Sequence, residues 1–132
     1  MDILIIDDDP ISIFLAKLLL NRCGLFDNVT AYHNPVEALL FIQDQIDSNM
    51  LPQVILLDIN MPLLDGWELL EKLKPCYLQL SVKNSIYMLT SSTDISDINR
   101  AKDHQLVTDI LFKPLAIGKI QEIYKHVRLF AD

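Results

Sequence analysis

Short continuous aliphatic runs alternate along this chain with longer stretches in which apolar residues return every three or four positions. Residues 3–6 read Ile-Leu-Ile-Ile, and residues 54–57 read Val-Ile-Leu-Leu. A strand covered on both faces shows no polar alternation, so both runs predict buried strands. Residues 29–32, 86–89 and 110–112 predict three more, the first of them weaker. Helical patterns with marked starts lie between the strands. Asp9 is placed to cap a helix with Pro10 in its first turn, carrying Ile11, Phe14, Leu15 and Leu18 at helical spacing and ending at Cys23-Gly24. Asn34-Pro35-Val36-Glu37 combines an N-cap, a first-turn proline and a capping-box glutamate ahead of Leu39, Ile42 and Ile46. Asp65-Gly66-Trp67-Glu68 opens a third helix with Leu69, Leu70 and Leu73, closed by Pro75. A fourth starts near Asp94 with Ile95, Ile98 and Ala101 on one face, and a fifth turns Ile120, Ile123, Tyr124 and Val127 inward. The leucine-rich faces are assigned to the core, Trp67 to a half-buried packing position, and residues 74–84 to a surface loop.

Strand followed by helix, five times over, predicts a parallel sheet with helices on both faces. GxGxxG and GxxxxGK[ST] are absent, which argues against the dinucleotide-binding and P-loop versions of this class. The 132 residues show no linker or repeat and suit one domain spanning 1–132, since a domain takes ~100–200 residues. Hydrophobic residues make up 51%, enough for a core. No apolar stretch nears the ~18 residues of a membrane span, and Met1-Asp2-Ile3 lacks the positive start of a signal peptide. A soluble, cytoplasmic protein without membrane partners is therefore expected. The net charge of −7 argues against nucleic-acid partners, which call for basic patches. Cys23 and Cys76 have no CxxC spacing and read as free thiols of a reducing compartment. His33, His104 and His126 lack metal-ligand spacing and read as surface or structural residues.

Chemistry collects where the strands end. Ligands of open parallel sheets sit beyond the carboxyl ends of the strands. Those ends supply Asp7-Asp8, then Asp58, then Thr90, then Lys113. The flavodoxin-like strand order 2-1-3-4-5 sets the first and third strands side by side, bringing Asp7-Asp8 to face Asp58. Three carboxylates in one crevice repel, and a hard divalent cation such as Mg²⁺ relieves that repulsion. The cation, the Lys113 ammonium and the Thr90 hydroxyl could together stabilise a transferring phosphoryl group. A carboxylate can itself be the nucleophile, giving an aspartyl phosphate. Asp9 reads as a helix cap instead.

Residues 3–9 (Ile-Leu-Ile-Ile-Asp-Asp-Asp), 57–66 (Leu-Asp-Ile-Asn-Met-Pro-Leu-Leu-Asp-Gly), 89–91 (Leu-Thr-Ser) and 112–114 (Phe-Lys-Pro) resemble the signature of response-regulator receiver domains. The match runs over essentially the whole chain. The resemblance implies a five-stranded flavodoxin-like sandwich and a stand-alone receiver of two-component signalling, similar to the chemotaxis-Y type. It implies that Asp58 is the phosphoacceptor. Asp8, Asp58 and the backbone carbonyl of Asn60 would bind Mg²⁺, with Mn²⁺ as a substitute, and Asp7 would act through a metal-bound water. Thr90 would bond a phosphoryl oxygen, and Lys113 would pair with the attached group, its bond to Pro114 being cis. Asn60 and Ser92 would flank the path of the hydrolysing water. The donor would be a phosphohistidine on a sensor kinase or phosphotransfer protein, and small acyl phosphates would substitute.

One position departs from the family pattern. Ile110 stands three residues before the lysine, where receivers often carry Tyr or Phe, and Phe112 lies nearer the lysine. That removes the usual aromatic partner of the threonine and leaves every phosphorylation group in place. The output surface, and any weak dimer of an otherwise monomeric protein, would use the fourth helix, fifth strand and fifth helix. With no residues after the last helix for an output domain, docking on a partner or relaying phosphate onward is expected. Two other readings compete. A pseudo-receiver would keep the fold as a binding module without phosphorylation, though such proteins usually lack one of these acids or the lysine. A phosphatase of the haloacid-dehalogenase type wants a second acid two residues after the nucleophile, where this chain has Asn60.

Overall fold

The computed structural model describes residues 1–129. Five strands, β1 (Asp2–Ile6), β2 (Asn28–Tyr32), β3 (Val54–Asp58), β4 (Ser85–Thr90) and β5 (Val107–Phe112), form one sheet of order β2-β1-β3-β4-β5. Every neighbouring pair is parallel. Among the described residues six α-helices surround it: α1 (Pro10–Cys23), α2 (Pro35–Ile46), α3 (Gly66–Lys72), α4 (Tyr77–Lys83), α5 (Ile95–Asp103) and α6 (Ile117–Leu129).

Side chains of a strand alternate between faces, and the two sides of the sheet bury alternate residues. Leu4, Ile6, Ile55, Leu57, Ile86 and Met88 enter the core cluster shared with α2, α3 and α4. Ile3, Ile5, Val54, Leu56, Tyr87 and Leu89 enter the opposite cluster with α1 and α6. The three central strands are thus apolar on both faces, which is why their sequences carry no alternation. The edge strand β2 has no fully buried residue, in keeping with its weaker pattern.

The helix starts lie where their caps predict. Asp9 accepts from the Ile11 N–H at 3.0 Å, and Asn34 accepts from Val36 and Glu37. Asp65 and Glu68 close a reciprocal capping box. Gly24 ends α1 in the left-handed region at φ 62°, a conformation that suits glycine.

Three expectations are corrected. Residues 74–84 are not a loop. A 3₁₀ turn (Lys74–Cys76) leads into α4, whose Leu80 is 0% exposed. The fourth helix expected from the sequence is therefore α5, and the fifth is α6. Secondly, Ile11, Phe14, Leu15 and Leu18 are not the buried stripe of α1. They face solvent, Ile11 at 68% and Phe14 at 64% exposure, while Ile13, Ala16 and Leu20 face the sheet. Thirdly, Trp67 is buried rather than half-buried, at 5% exposure. On α5, Ile95 is exposed and Ala101 is buried. Among the described residues no helix is long and apolar enough to cross a membrane.

Candidate functional site

Strand register builds the site. Ile6 pairs with Leu57 between β1 and β3, so the next residues, Asp7 and Asp58, emerge side by side from adjacent strands. Asp8 follows, and one carboxylate oxygen from each of the three lies within 4.8 Å of the others. Oxygens around an octahedral Mg²⁺ at ~2.0–2.1 Å are separated by about 3–4 Å, so this donor set fits such an ion. The set holds oxygens alone, which suits a hard cation rather than a soft one.

Lys113 directly follows β5, two strands beyond β3. Its backbone N–H donates to the Thr90 carbonyl at 2.8 Å. From there its ammonium reaches back over the strand ends to 2.7 Å from Asp7 Oδ2 and 3.5 Å from Asp58 Oδ2. The other oxygen of Asp7 accepts from the Asp9 N–H at 3.0 Å. Asp7 is therefore held at both oxygens by the protein itself. The peptide bond between Lys113 and Pro114 is cis.

Burial governs the electrostatics. Asp7 is 1% and Asp58 5% exposed. Desolvation, joined by the charge of Asp7, pushes the Asp58 carboxyl up from 3.8 to about 7, against the lowering influence of Lys113. Burial alone would lower Lys113. Its hydrogen bond to Asp7 and the charges of both aspartates outweigh that and hold the ammonium above its ordinary value. Three carboxylates thus share the pocket with one ammonium.

Thr90 is fully buried at the end of β4. Its hydroxyl accepts the Ser92 N–H at 3.0 Å. Asn60 is exposed in the segment that leaves β3. This segment folds back through a hydrogen bond from the Gly66 N–H to the Ile59 carbonyl at 2.8 Å. Leu63 within it takes φ 70°, a region that non-glycine residues enter at a cost, while pointing into solvent. The fold thus joins Asp7, Asp8, Asp58 and Lys113 directly and sets Thr90 on the neighbouring strand end. His33, His104 and His126 take no part. Among the described residues Cys23 and Cys76 are free thiols.

Two features were not visible in the sequence. A Cβ on Gly66 would stand 2.6 Å from the Asp58 carbonyl oxygen and 2.9 Å from Met88 Cε, so the start of α3 is pressed against the phosphoacceptor candidate. Asp65-Gly66 reads as a cap, but nothing local signals that approach. A cleft of about 510 Å³ also opens between α1 and the segment after β5, beside Asp7 and Lys113, with Leu15, Leu18, Leu19 and Leu115 in its walls.

Comparison with known proteins agrees with this architecture. A family model described as the response regulator receiver domain matches residues 3–125. The rice two-component response regulator ORR22 (Oryza sativa subsp. indica) is 28% identical over 127 residues, covering 96% of this chain and 17% of its own length. ARR11 of Arabidopsis thaliana is 26% identical over 125 residues, 95% of this chain and 22% of its own. The chain thus spans about a fifth of the length of these curated relatives. Among solved structures, a two-component response regulator from Cytophaga hutchinsonii superposes with a TM-score of 0.91 at 26% identity, covering 97% of this chain and 96% of that one. A response regulator receiver protein from Dyadobacter fermentans DSM 18053 gives 0.84 at 30% identity, with 97% and 98% covered.

Proposed function

Because the chain belongs to the response regulator receiver domain family, we propose that it takes a phosphoryl group onto Asp58 from a phosphohistidine donor and releases it by hydrolysis, as a cytoplasmic signalling switch. The observation that carries this reading is one buried carboxylate flanked by two more and by an ammonium 3.5 Å away. An acid alone would repel a phosphoryl group, and a lysine alone would have nothing to transfer it to.

Asp8, Asp58 and the Asn60 carbonyl hold Mg²⁺ in this reading, or Mn²⁺ in its place, and Asp7 acts through a bound water. Both Asp7 oxygens are already engaged by Lys113 and Asp9, which favours that indirect role. When bound, the cation offsets the charge of the carboxylates and of the entering phosphoryl oxygens. Asp58 attacks phosphorus with a carboxylate oxygen. The O–P bond forms as the P–N bond to the donor imidazole breaks, and the imidazole keeps the electron pair and takes a proton. Lys113 shifts from Asp58 to a phosphoryl oxygen, and Thr90 turns its hydroxyl from Ser92 to another. Water later attacks phosphorus, restoring the carboxylate and releasing phosphate. Asn60 and Ser92, both exposed, flank that path.

The donor would be a sensor histidine kinase or a phosphotransfer protein. Leu15 and Leu18 line the cleft beside Asp7 and Lys113, and together with exposed Ile11 and Phe14 on the same helix they suit an apolar partner surface that brings the phosphohistidine to Asp58. Output would pass through α5, β5 and α6, where Ile95 and Phe112 are exposed. That face also suits a weak dimer.

Intact-mass measurement with acetyl phosphate and Mg²⁺ tests the reading. One phosphoryl group should be gained, and Asp58→Asn should gain none. An unchanged mass with every donor tried would leave a binding module that is not phosphorylated.

A further inference from the structure

Beyond its packing on β5, α5 with its C-cap directs three side chains at a single residue of α3. The Trp67 indole N–H donates to Asp97 Oδ1 at 3.1 Å. The Arg100 guanidinium lies 4.8 Å above the indole ring, and the His104 ring is 6.1 Å from it. Asp97 and Arg100 are three residues apart, on one face of α5. Ala101 is the only buried residue of that helix, so packing alone seats it weakly. Trp67 itself is fixed. It follows Gly66, which is pressed against the Asp58 carbonyl and bonded to Ile59.

A separate chain of hydrogen bonds runs from the site to the start of α5. Thr90 Oγ1 accepts from the Ser92 N–H at 3.0 Å. Ser92 Oγ accepts from the Asp94 N–H at 3.1 Å. Asp94 accepts from the Ser96 N–H at 2.9 Å, capping α5. A rotation of the Thr90 side chain that carries Oγ1 toward Asp58 removes the first of these bonds. Strand β5 offers no ring to follow that movement, since Ile110 pairs with Met88 and packs on the core, and Phe112 is exposed.

We propose that Trp67, held to Asp97 and Arg100, is the latch that keeps α5 in its resting position, and that phosphorylation of Asp58 releases it. The inference rests on the phosphoacceptor reading above. Thr90 pulls the 91–94 segment and the first turn of α5, while Trp67 stays anchored to the end of β3. The indole–Asp97 bond lies between these two bodies and is the one that breaks.

Trp67 is the sole tryptophan, so its emission reports the latch directly. The full chain is treated with Mg²⁺ and acetyl phosphate. Emission, intact mass and amide hydrogen exchange across residues 95–103 are then followed together. Phosphoryl gain should come with a shift in emission and faster exchange in α5. Asp97→Ala should still gain the phosphoryl group. It should also show the shifted emission and fast exchange beforehand, with no further change. Asp97→Asn keeps an acceptor oxygen and should behave like the parent. Full phosphorylation with unchanged emission in the parent, or the same emission change in Asp97→Ala, overturns the latch and leaves the phosphoacceptor reading standing. No gain of mass overturns both.

Discussion

At the scale of single residues, the chemical side chains were legible because each one directly follows an apolar strand. Asp7, Asp58 and Thr90 continue or complete buried runs, and burial of such a polar group without a purpose is costly. Gly66 was legible only as part of a cap. Its real constraint is the 2.6 Å that a Cβ would leave to the Asp58 carbonyl, a contact between segments that no local pattern encodes. Gly66→Ala should therefore force α3 away from β3. A loss of about 1–3 kcal/mol in a denaturant titration is expected, the usual cost of overpacking. Mg²⁺ affinity should fall with it, because the displaced segment carries Asn60. Unchanged stability would mean that α3 shifts freely, contrary to the packing seen. The burial of Trp67 is hidden from local sequence for a related reason. It comes from α5, thirty residues on, through Asp97.

At the scale of elements, periodicity gave the existence of ten of the strands and helices and failed where two patterns compete. α1 carries one apolar stripe through Ile11, Phe14, Leu15 and Leu18 and another through Ile13, Ala16 and Leu20. Spacing cannot say which faces the sheet. The outward stripe then needs another explanation, and donor docking supplies one. Phe14→Glu should slow transfer from a phosphohistidine protein about tenfold or more, the effect of losing roughly 1.4 kcal/mol of an aromatic contact. Uptake from acetyl phosphate, which needs no docking surface, should not change. Equal slowing with both donors would place the effect in the site instead. α4 leaves no clear sign in the sequence, because Pro75 reads as a stop and Cys76 caps its seven residues without a side-chain hydrogen bond. Its one fully buried residue is Leu80, in the core, while half-buried Tyr77 adds a hydroxyl bond to the Leu70 carbonyl at 2.9 Å. Leu80→Ala should destabilise the protein by about 2–5 kcal/mol in the same titration, whereas an element that merely lay on the surface would lose little.

At the scale of the whole molecule, the acidic site makes stability depend on pH and on metal together. A chain of net charge −7 gathers three of its carboxylates in one pocket, and burial lifts Asp58 from 3.8 to about 7. Between those values the folded state binds a proton that the unfolded state has lost. Stability of the metal-free protein should therefore fall as pH rises from about 4 through about 7. Asp58→Asn removes this contribution, so the variant should have a flatter pH profile and exceed the parent above about pH 7 when metal is absent. Mg²⁺ reverses the ranking, because it binds the ionised carboxylate and displaces the proton. At one hundred times its Kd it should add about 2.7 kcal/mol. Melting curves with and without Mg²⁺, one pH unit either side of about 7, decide the matter. The Mg²⁺-induced rise in Tm should be larger on the alkaline side and mostly lost in Asp58→Asn. A rise independent of pH, and equal in parent and variant, would place the cation away from Asp58. The energy that folding gives up to keep these acids together would then serve no binding event at that carboxylate.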